Sequence, residues 1–410
     1  MRMQNLKIFA VLTLLGGVFQ KLIPFLTSIV VANIAGEIYF AQFTFALNTA
    51  NTIVAVCAMG LSPAILTTLS VAKESKPEVV HDEILGLLRV GFMVAVTVAI
   101  VGFTVANFPP ASVANSAAYF SIVILAPALV LNQVTYAIFQ GITRYKLSAV
   151  QSFGLFILVL SCVFGGAAAG FGKSIHVIYA WSYLVVGMAS FSLLTFSSLK
   201  RRKKKYPSPN VMSLISRQLP FAGYTAVWML AMYLCNYKVA HSYSSSLAIY
   251  NASFQWYTIL LMAPSLLGGV LIPYFSSRIK GIQVVRITAI YTLIGIPPTI
   301  FLMYLAPHVL GLYSLEANAN SLLVFRLMLA SGALATVTMP MLQLYLAQRN
   351  FIQLYVVSGA WTLVALPGVF VFSQNAIHIA SWFFVAYIVV ALIVGRDLKR
   401  LTKKLGKNYD

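Results

Sequence analysis

Acidic residues are scarce in this sequence, which has eight Asp and Glu against 28 Lys and Arg among its 410 residues. Charged residues of either sign make up only 9% of the chain, whereas 60% of the residues are hydrophobic. This balance excludes an ordinary soluble domain, which could not bury so much apolar surface, and it predicts a polytopic membrane protein. The net charge of +20 therefore indicates membrane orientation rather than nucleic-acid binding, because most cations lie between apolar segments.

Cysteine and histidine are also rare, and neither type is arranged for chemistry. The three cysteines, Cys57, Cys162 and Cys235, lie in apolar segments without metal-ligand spacing, so we interpret them as small packing residues. The five histidines lie in loops or at the ends of apolar segments and do not pair. We therefore expect no metal site, no cofactor and no enzymatic activity.

Long apolar stretches predict an all-α fold of about twelve transmembrane helices, each about as long as a bilayer requires. The first stretch follows Arg2 and Lys7 and continues past Lys21 without a small-residue cleavage site, so we interpret it as a retained helix. The predicted helices lie near 8–32, 41–66, 84–106, 117–140, 149–171, 175–199, 217–240, 247–272, 284–306, 321–346, 352–373 and 376–395.

The basic residues predict the orientation of these helices. Apart from Lys173 and the three cations Lys21, Lys238 and Arg326, every Lys and Arg lies in the N-terminal segment, in or next to alternate loops, or in the C-terminal tail. We expect the protein to lie in the inner membrane of a bacterium. The positive-inside rule then places both termini in the cytoplasm.

A weak internal repeat predicts two lobes of six helices each. A shift of 207 residues places Asn48 over Gln255 and Lys73 over Lys280, as expected of parallel repeats related by an axis along the membrane normal. The predicted domains are an N-terminal lobe at 1–199, a basic cytoplasmic linker at 200–216, a C-terminal lobe at 217–396 and a basic cytoplasmic tail at 397–410.

Three cations, Lys21, Lys238 and Arg326, are the only charged residues within the predicted spans apart from arginines near their cytoplasmic ends, and no acid lies in any of these spans. A charge in hydrocarbon is costly unless it faces a water-filled cavity, a partner or the interface. We therefore predict helices around a cationic lumen suited to an anion. Lys21 is the best candidate because it lies near the middle of its helix. Lys238 and Arg326 lie near external helix ends, where snorkelling to water explains them equally well.

Polar residues in the second and eighth predicted helices are candidates for contact with a hydrophilic cargo. Thr44 and Asn48 lie four residues apart on one helix face, as do Asn251 and Gln255 on the other helix. They could form two walls of one wet cavity that binds a glycan, or they could be hydrogen-bonding residues between packed helices. The sequence leaves both alternatives open.

Short segments along nearly the whole chain add a family resemblance. They are Val31–Gly36, Tyr39–Phe43, Met59–Ala64, Gln140–Arg144, Leu219–Pro220, Ile249–Ala252 and Pro273. In this order, and within the twelve-helix frame, they resemble polysaccharide-exporting flippases of the multidrug/oligosaccharidyl-lipid/polysaccharide superfamily. The short external loops and basic balance are most similar to those of O-antigen flippases.

The resemblance implies that the chain moves an undecaprenyl-pyrophosphate-linked sugar repeat from the cytoplasmic to the periplasmic leaflet. Its implied partners are this lipid-linked oligosaccharide and membrane lipids, with an O-antigen polymerase and a chain-length regulator as candidates, and no nucleic acid. Two alternatives remain: a cation-coupled multidrug exporter, which normally uses an intramembrane carboxylate, and a polymerase or ligase enzyme, which should carry a large external loop. This chain has neither feature in its predicted spans and loops.

Overall fold

The structure is a computed structural model whose described part is almost entirely helical. It describes residues 3–58, 61–75, 79–113, 117–142, 144–201, 211–262, 264–267, 271, 275 and 281–406. Within these ranges the chain contains no β-strand. The prediction of an all-α membrane protein is confirmed.

The helices follow one another with short connections. The first eight are α1 (Met3–Ala35), α2 (Glu37–Cys57), α3 (Leu61–Ser75), α4 (Val80–Ala106), α5 (Ala117–Phe120), α6 (Ile122–Gly141), α7 (Tyr145–Ala168) and α8 (Ile175–Arg201). They are followed by α9 (Val211–Ser242), α10 (Leu247–Leu260), α11 (Gly281–Tyr304), α12 (Ala306–Gly311), α13 (Ala319–Ala347), α14 (Phe351–Pro367) and α15 (Ala376–Gly406).

Ten spans in the described part of the chain are long and apolar enough to cross a bilayer, judged by length and composition. The predicted span near 217–240 coincides with α9, and the one near 247–272 begins as α10. The ten are Leu15–Ala35, Glu37–Cys57, Val80–Ala106, Ala117–Gly141, Tyr145–Ala168, Gly172–Lys200, Gln283–Tyr304, Ala319–Ala347, Phe351–Phe372 and Ala376–Leu401.

The chain divides into two compact units, Met1–Ala226 and Val227–Asp410. The division lies within α9, slightly beyond the basic linker predicted at 200–216. Residues 202–210 of that linker lie outside the described ranges, and the predicted lobe bounds stay predictions.

The first unit is organised around α6, which packs against α2, α3, α4 and α8. Its core side chains, such as Leu125, Val130 and Ile138, are almost completely buried. By contrast, α7 and α8 carry large exposed apolar side chains, among them Phe164 and Phe196. In a chain of this composition, such a surface is one that lipid covers rather than water.

The second unit is organised around α13, which packs against α10, α11 and α15. Thus the central helix of each unit is the fourth of the six spans predicted for that half. A cluster of aromatic rings lies beside it: Trp361 stacks on Trp228, and its ring meets Phe383 edge to face. Aromatic pairs of this geometry add about 0.5–1.5 kcal/mol each beyond the burial of their area.

The second predicted helix, 41–66, is wrong as a single element. The structure divides it into α2, which ends at Cys57, and α3, which begins at Leu61. Pro63 lies in the first turn of α3, where the missing backbone N–H leaves no helical hydrogen bond unmade. The hydropathy of the two pieces is continuous, so an average over the segment does not reveal the break.

Two helix ends also differ from the prediction. The helix predicted at 84–106 begins at Val80, so Asp82 and Glu83 belong to its first turn, and Asp82 is buried. The last predicted helix, 376–395, continues to Gly406 and includes Asp397 and most of the predicted basic tail. Acidic side chains therefore do occur at the ends of these helices, where hydropathy placed loop residues.

Candidate functional site

Lys21 lies near the middle of α1, a helix of 33 residues, and its side chain is exposed. Its helix flank is not exposed along its whole length. Ser28 and Ala32, about two and three turns further along the same flank, are buried. The Ser28 hydroxyl donates to the carbonyl of Pro24 at 2.7 Å. This flank of α1 is therefore exposed at Lys21 and buried at Ser28 and Ala32.

Thr44 and Asn48 lie on α2 as predicted, one turn apart. Thr44 is buried, and its hydroxyl donates within its own helix, to the carbonyl of Phe40 at 2.8 Å. Asn48 is half-buried, and its backbone carbonyl accepts from the Thr52 hydroxyl at 2.9 Å. Thr44 can still accept a hydrogen bond, but its proton is engaged. Its role towards a glycan stays a prediction.

Asn251 and Gln255 lie on α10 in the second unit. Asn251 is completely buried, whereas Gln255 is half-buried. The Gln255 carbonyl oxygen accepts from the Tyr313 hydroxyl at 3.1 Å. Gln255 thus connects α10 to the segment after α12. This contact fits the alternative in which the polar residues form hydrogen bonds between packed helices, and the role of Gln255 in binding a glycan stays a prediction.

Lys238 and Arg326 have different surroundings in the second unit. The Lys238 ammonium is 5.9 Å from the ring centroids of both Tyr243 and Phe370, a distance at which a cation is attracted by an aromatic face. Arg326 is exposed, and its Nε donates to the carbonyl of Met303 at 3.4 Å. Both cations therefore have local partners, and Lys21 remains the candidate least explained by its neighbours.

The candidates divide between the two units. Lys21, Thr44 and Asn48 belong to the first, and Lys238, Asn251, Gln255 and Arg326 belong to the second. In the described part of the chain, no group of three or more His, Cys, Asp and Glu side chains converges as metal ligands would.

Sequence reasoning missed a buried polar network in the first unit. The Asn132 amide donates to the carbonyls of Ala128 and Tyr183, at 2.9 and 2.7 Å. The Gln151 amide donates to the Thr135 hydroxyl at 2.7 Å. The network joins α6, α7 and α8, as expected of polar side chains between membrane helices. Its only sequence signal is that amide and hydroxyl residues recur within apolar spans.

A second missed network joins three helices of the second unit. The Asp397 carboxylate on α15 accepts from the Tyr345 hydroxyl of α13 and from the Gln353 amide of α14, both at 2.8 Å. Arg400 lies 3.7 Å from its other oxygen. A carboxylate with two donors is stabilised as an anion, so Asp397 has its partners within the unit.

Comparison with known proteins adds family and fold. The sequence profile described as polysaccharide biosynthesis protein matches residues 9–279, more than half of the chain. No curated protein matches the chain.

Solved structures of similar fold cover nearly the whole chain. A MOP superfamily transporter from Pyrococcus furiosus has a TM-score of 0.69 at 15% identity, and the match covers 97% of this chain and 96% of that transporter. The binding pocket of that transporter is described as having reverse polarity, which suggests a different function for it. An inward-facing multidrug resistance transporter of the MATE family has a TM-score of 0.69 at 16% identity, covering 96% and 99%. The lipid II flippase MurJ, inward closed, has a TM-score of 0.71 at 12% identity, covering 96% and 87%. At these identities the likeness shows the fold alone.

Proposed function

The chain belongs to the family of polysaccharide biosynthesis proteins, and on that premise we propose that it is a flippase for a lipid-linked oligosaccharide. Its cargo is an undecaprenyl-pyrophosphate-linked O-antigen repeat unit, moved from the cytoplasmic to the periplasmic leaflet of the inner membrane. Transport proceeds by alternating access through a cationic lumen. The family and the transporter fold support movement of a cargo, and the charge of the membrane helices supports an anionic one.

The observation that carries this proposal is the setting of Lys21. An ammonium in the middle of a membrane helix needs water or an anion, because burial in hydrocarbon is unfavourable. The Lys21 side chain is exposed, on a helix flank whose residues further along are buried. An exposed cation near the middle of a membrane helix suits a pyrophosphate, whose oxygens accept strong charge-assisted hydrogen bonds in a poorly hydrated site.

Different parts of the cargo require different surfaces. The glycan needs hydrogen-bonding side chains, for which Asn48, Asn251 and Gln255 are our candidates, with Thr44 as an acceptor. Lys238 and Arg326 are further candidates for contact with the anionic part of the cargo. The lipid tail needs no polar site, since the apolar surface of the helices and the bilayer itself solvate it.

The membrane potential gives the transport a direction. With the cytoplasm negative, moving each negative charge outwards is favourable by about 2.3 kcal/mol per 100 mV. A pyrophosphate group carried outwards would therefore be driven in part by the potential. In this arrangement both termini are cytoplasmic, membrane lipids are the immediate surroundings, and the polymerase and chain-length regulator that use the cargo are candidate partners.

Deletion of the gene tests the function directly. We expect loss of long-chain surface glycan and accumulation of its lipid-linked repeat unit on the cytoplasmic side, with recovery upon complementation. The host must lack a second flippase of this specificity. Intact long-chain glycan in such a host would refute the proposal, and a gain in sensitivity to cationic drugs instead would favour a multidrug exporter.

Substitutions of Lys21 test the mechanism. Lys21→Ala should strongly reduce surface glycan at normal protein abundance, and Lys21→Glu should reduce it most, because a carboxylate repels the pyrophosphate in a poorly screened cavity. Lys21→Arg should retain much activity, since it keeps the charge.

Lys146→Ala is the matched control, because Lys146 is an exposed lysine at the start of α7. Cells with this variant should carry as much surface glycan as cells with the unaltered protein. Full complementation by a well-expressed Lys21→Glu protein would show that the cationic lumen is not the mechanism.

A further inference from the structure

The helix that carries Lys21 is held against α7, its principal neighbour, by a polar contact one residue away. The Gln20 amide donates to the Ser152 hydroxyl of α7 at 3.0 Å. Ser152 in turn donates to the carbonyl of Ser148 at 3.0 Å, so its hydroxyl has both a donor and an acceptor role. Ser152 is completely buried. Because Gln20 is half-buried, this hydrogen bond is partly shielded from water.

The contact between α1 and α7 is close as well as polar. A Cβ added at Gly16, one turn before Gln20, would lie 3.3 Å from the hydroxyl oxygens of both Ser152 and Tyr136. Such a distance is tighter than an ordinary van der Waals contact. Glycine at this position thus lets α1 approach close enough for the Gln20 amide to reach Ser152.

The two sides of α1 next to its contact with α7 have different surroundings. Consecutive residues of an α-helix are about 100° apart around its axis, so Phe19 and Lys21 lie on opposite sides of Gln20. The Phe19 ring packs on Phe153 and Phe156 of α7, at centroid distances of 5.2 and 5.1 Å. Phe153 is one of the exposed apolar side chains of α7, the kind of surface that lipid covers. Lys21 is on the flank turned away from it.

We propose that Gln20 and Ser152 are positioning residues for Lys21: their hydrogen bond sets the rotation of α1 and so holds the ammonium on the water-accessible flank. This inference rests on the proposed function, in which that ammonium meets the pyrophosphate. A rotation of α1 about its axis by about 100°, the angle between consecutive residues, would turn Lys21 towards α7 in place of Gln20. Loss of the hydrogen bond removes a directional side-chain contact that opposes this rotation.

The position that corresponds to Lys21 in the second half of the chain carries no charge. Trp361 lies 205 residues after Phe156, the shift that also relates Arg144 to Arg349, and its ring stacks on Trp228 of α9 at 5.6 Å. The residue at the position equivalent to Lys21 under this shift is Ala226.

Water access to position 21 tests the inference without any transport measurement. In a protein whose three native cysteines are replaced, the Lys21→Cys variant is treated with a charged, water-soluble thiosulfonate in membrane fragments that are open on both faces. The thiolate attacks the reagent, which forms a mixed disulfide and releases a sulfinate, so that only a hydrated thiol is labelled. We expect Ser152→Ala and Gln20→Leu each to slow the labelling of the thiol at position 21 about three- to tenfold, the range that loss of one hydrogen bond produces.

Two controls separate positioning from general disruption. Ser161→Ala makes the same change on the opposite face of α7, at an exposed residue, and should leave the labelling rate unchanged. Ser152→Thr keeps the hydroxyl and should restore labelling to within about twofold of the parent. Labelling of a cysteine at exposed Ser244 should be equal in all variants, which verifies that the reagent is equally active in every sample, and an unchanged Tm verifies that each variant is folded.

The outcomes distinguish this inference from the proposed function. Unchanged labelling at position 21 in both Ser152→Ala and Gln20→Leu would overturn the positioning role, whatever the cargo is. Slowed labelling together with full glycan export by Lys21→Ala would keep the positioning role and remove the cationic mechanism.

Discussion

Replacement of Asp397 is expected to destabilise the second unit more than any other single change of a polar residue at that end of the molecule. Its carboxylate accepts two hydrogen bonds of 2.8 Å, from Tyr345 and Gln353, and its side chain is only 13% exposed. Tyr345 is itself buried. The carboxylate therefore joins three helices at a site that water reaches poorly.

The magnitude follows from the number and kind of these bonds. A hydrogen bond to a charged group contributes about 1.5–3 kcal/mol, so Asp397→Ala, which removes both, should cost about 3 kcal/mol or more. Asp397→Asn keeps an acceptor oxygen and should cost about 1 kcal/mol. Arg400 is 62% exposed and 3.7 Å away, so Arg400→Ala should cost less than about 1 kcal/mol.

Thermal unfolding of the purified protein in detergent measures these differences. With about 2–4 °C per kcal/mol for a unit of this size, we expect Tm to fall by about 6–12 °C for Asp397→Ala and by about 2–4 °C for Asp397→Asn. A double-mutant cycle with Tyr345→Phe isolates the coupling between the two residues. Equal effects of Arg400→Ala and Asp397→Ala would refute the reasoning, because the exposed ion pair would then matter as much as the buried hydrogen bonds.

Two further predictions concern packing and topology. Gly368→Ala should lower Tm, because its Cβ would overlap the indole ring of Trp382, at a cost of about 1–3 kcal/mol. Gly395→Ala is the control: a Cβ there would have no atom within 4 Å, so Tm should stay unchanged or rise. Equal effects of the two substitutions on Tm would contradict this packing. In intact cells, an impermeant thiol reagent should label Ser244→Cys and spare Lys146→Cys, both at exposed positions, because the positive-inside rule places Lys146 in the cytoplasm. The opposite labelling pattern would reverse the proposed direction of transport.

The helical frame was predictable because it depends on composition summed over long segments. Spans such as 117–140 and 321–346 agree with their helices to within a few residues. The errors arose at helix ends and at the break between α2 and α3, where a few residues decide the outcome. Asp82 and Asp397 were assigned outside the spans, because a hydropathy average treats any acid as loop. Such an average cannot identify a buried acid whose hydrogen-bond donors lie on other helices.

The candidate site was predictable in type and less so in detail. Lys21 was identifiable because a mid-span cation without an acid in the spans is unusual in any sequence. The role of Thr44 was not, since only the structure shows that its proton is bound by the carbonyl of Phe40. Gln20 and Ser152 were missed because they are 132 residues apart, and neither is exceptional in its own helix.

By itself, the sequence determined that this chain is an all-α membrane protein with a strongly cationic balance. The physical reason is that a bilayer leaves backbone groups no partner but their own helix, so apolar length alone specifies helices. Only the tertiary structure decided which flank of each helix is packed, open or turned to lipid. That depends on close approaches such as Gly16 to Ser152 and on partners distant in the chain such as Tyr345 and Asp397. Since a hydrogen bond requires a specific distance and direction between two helices, no property of either helix alone contains it.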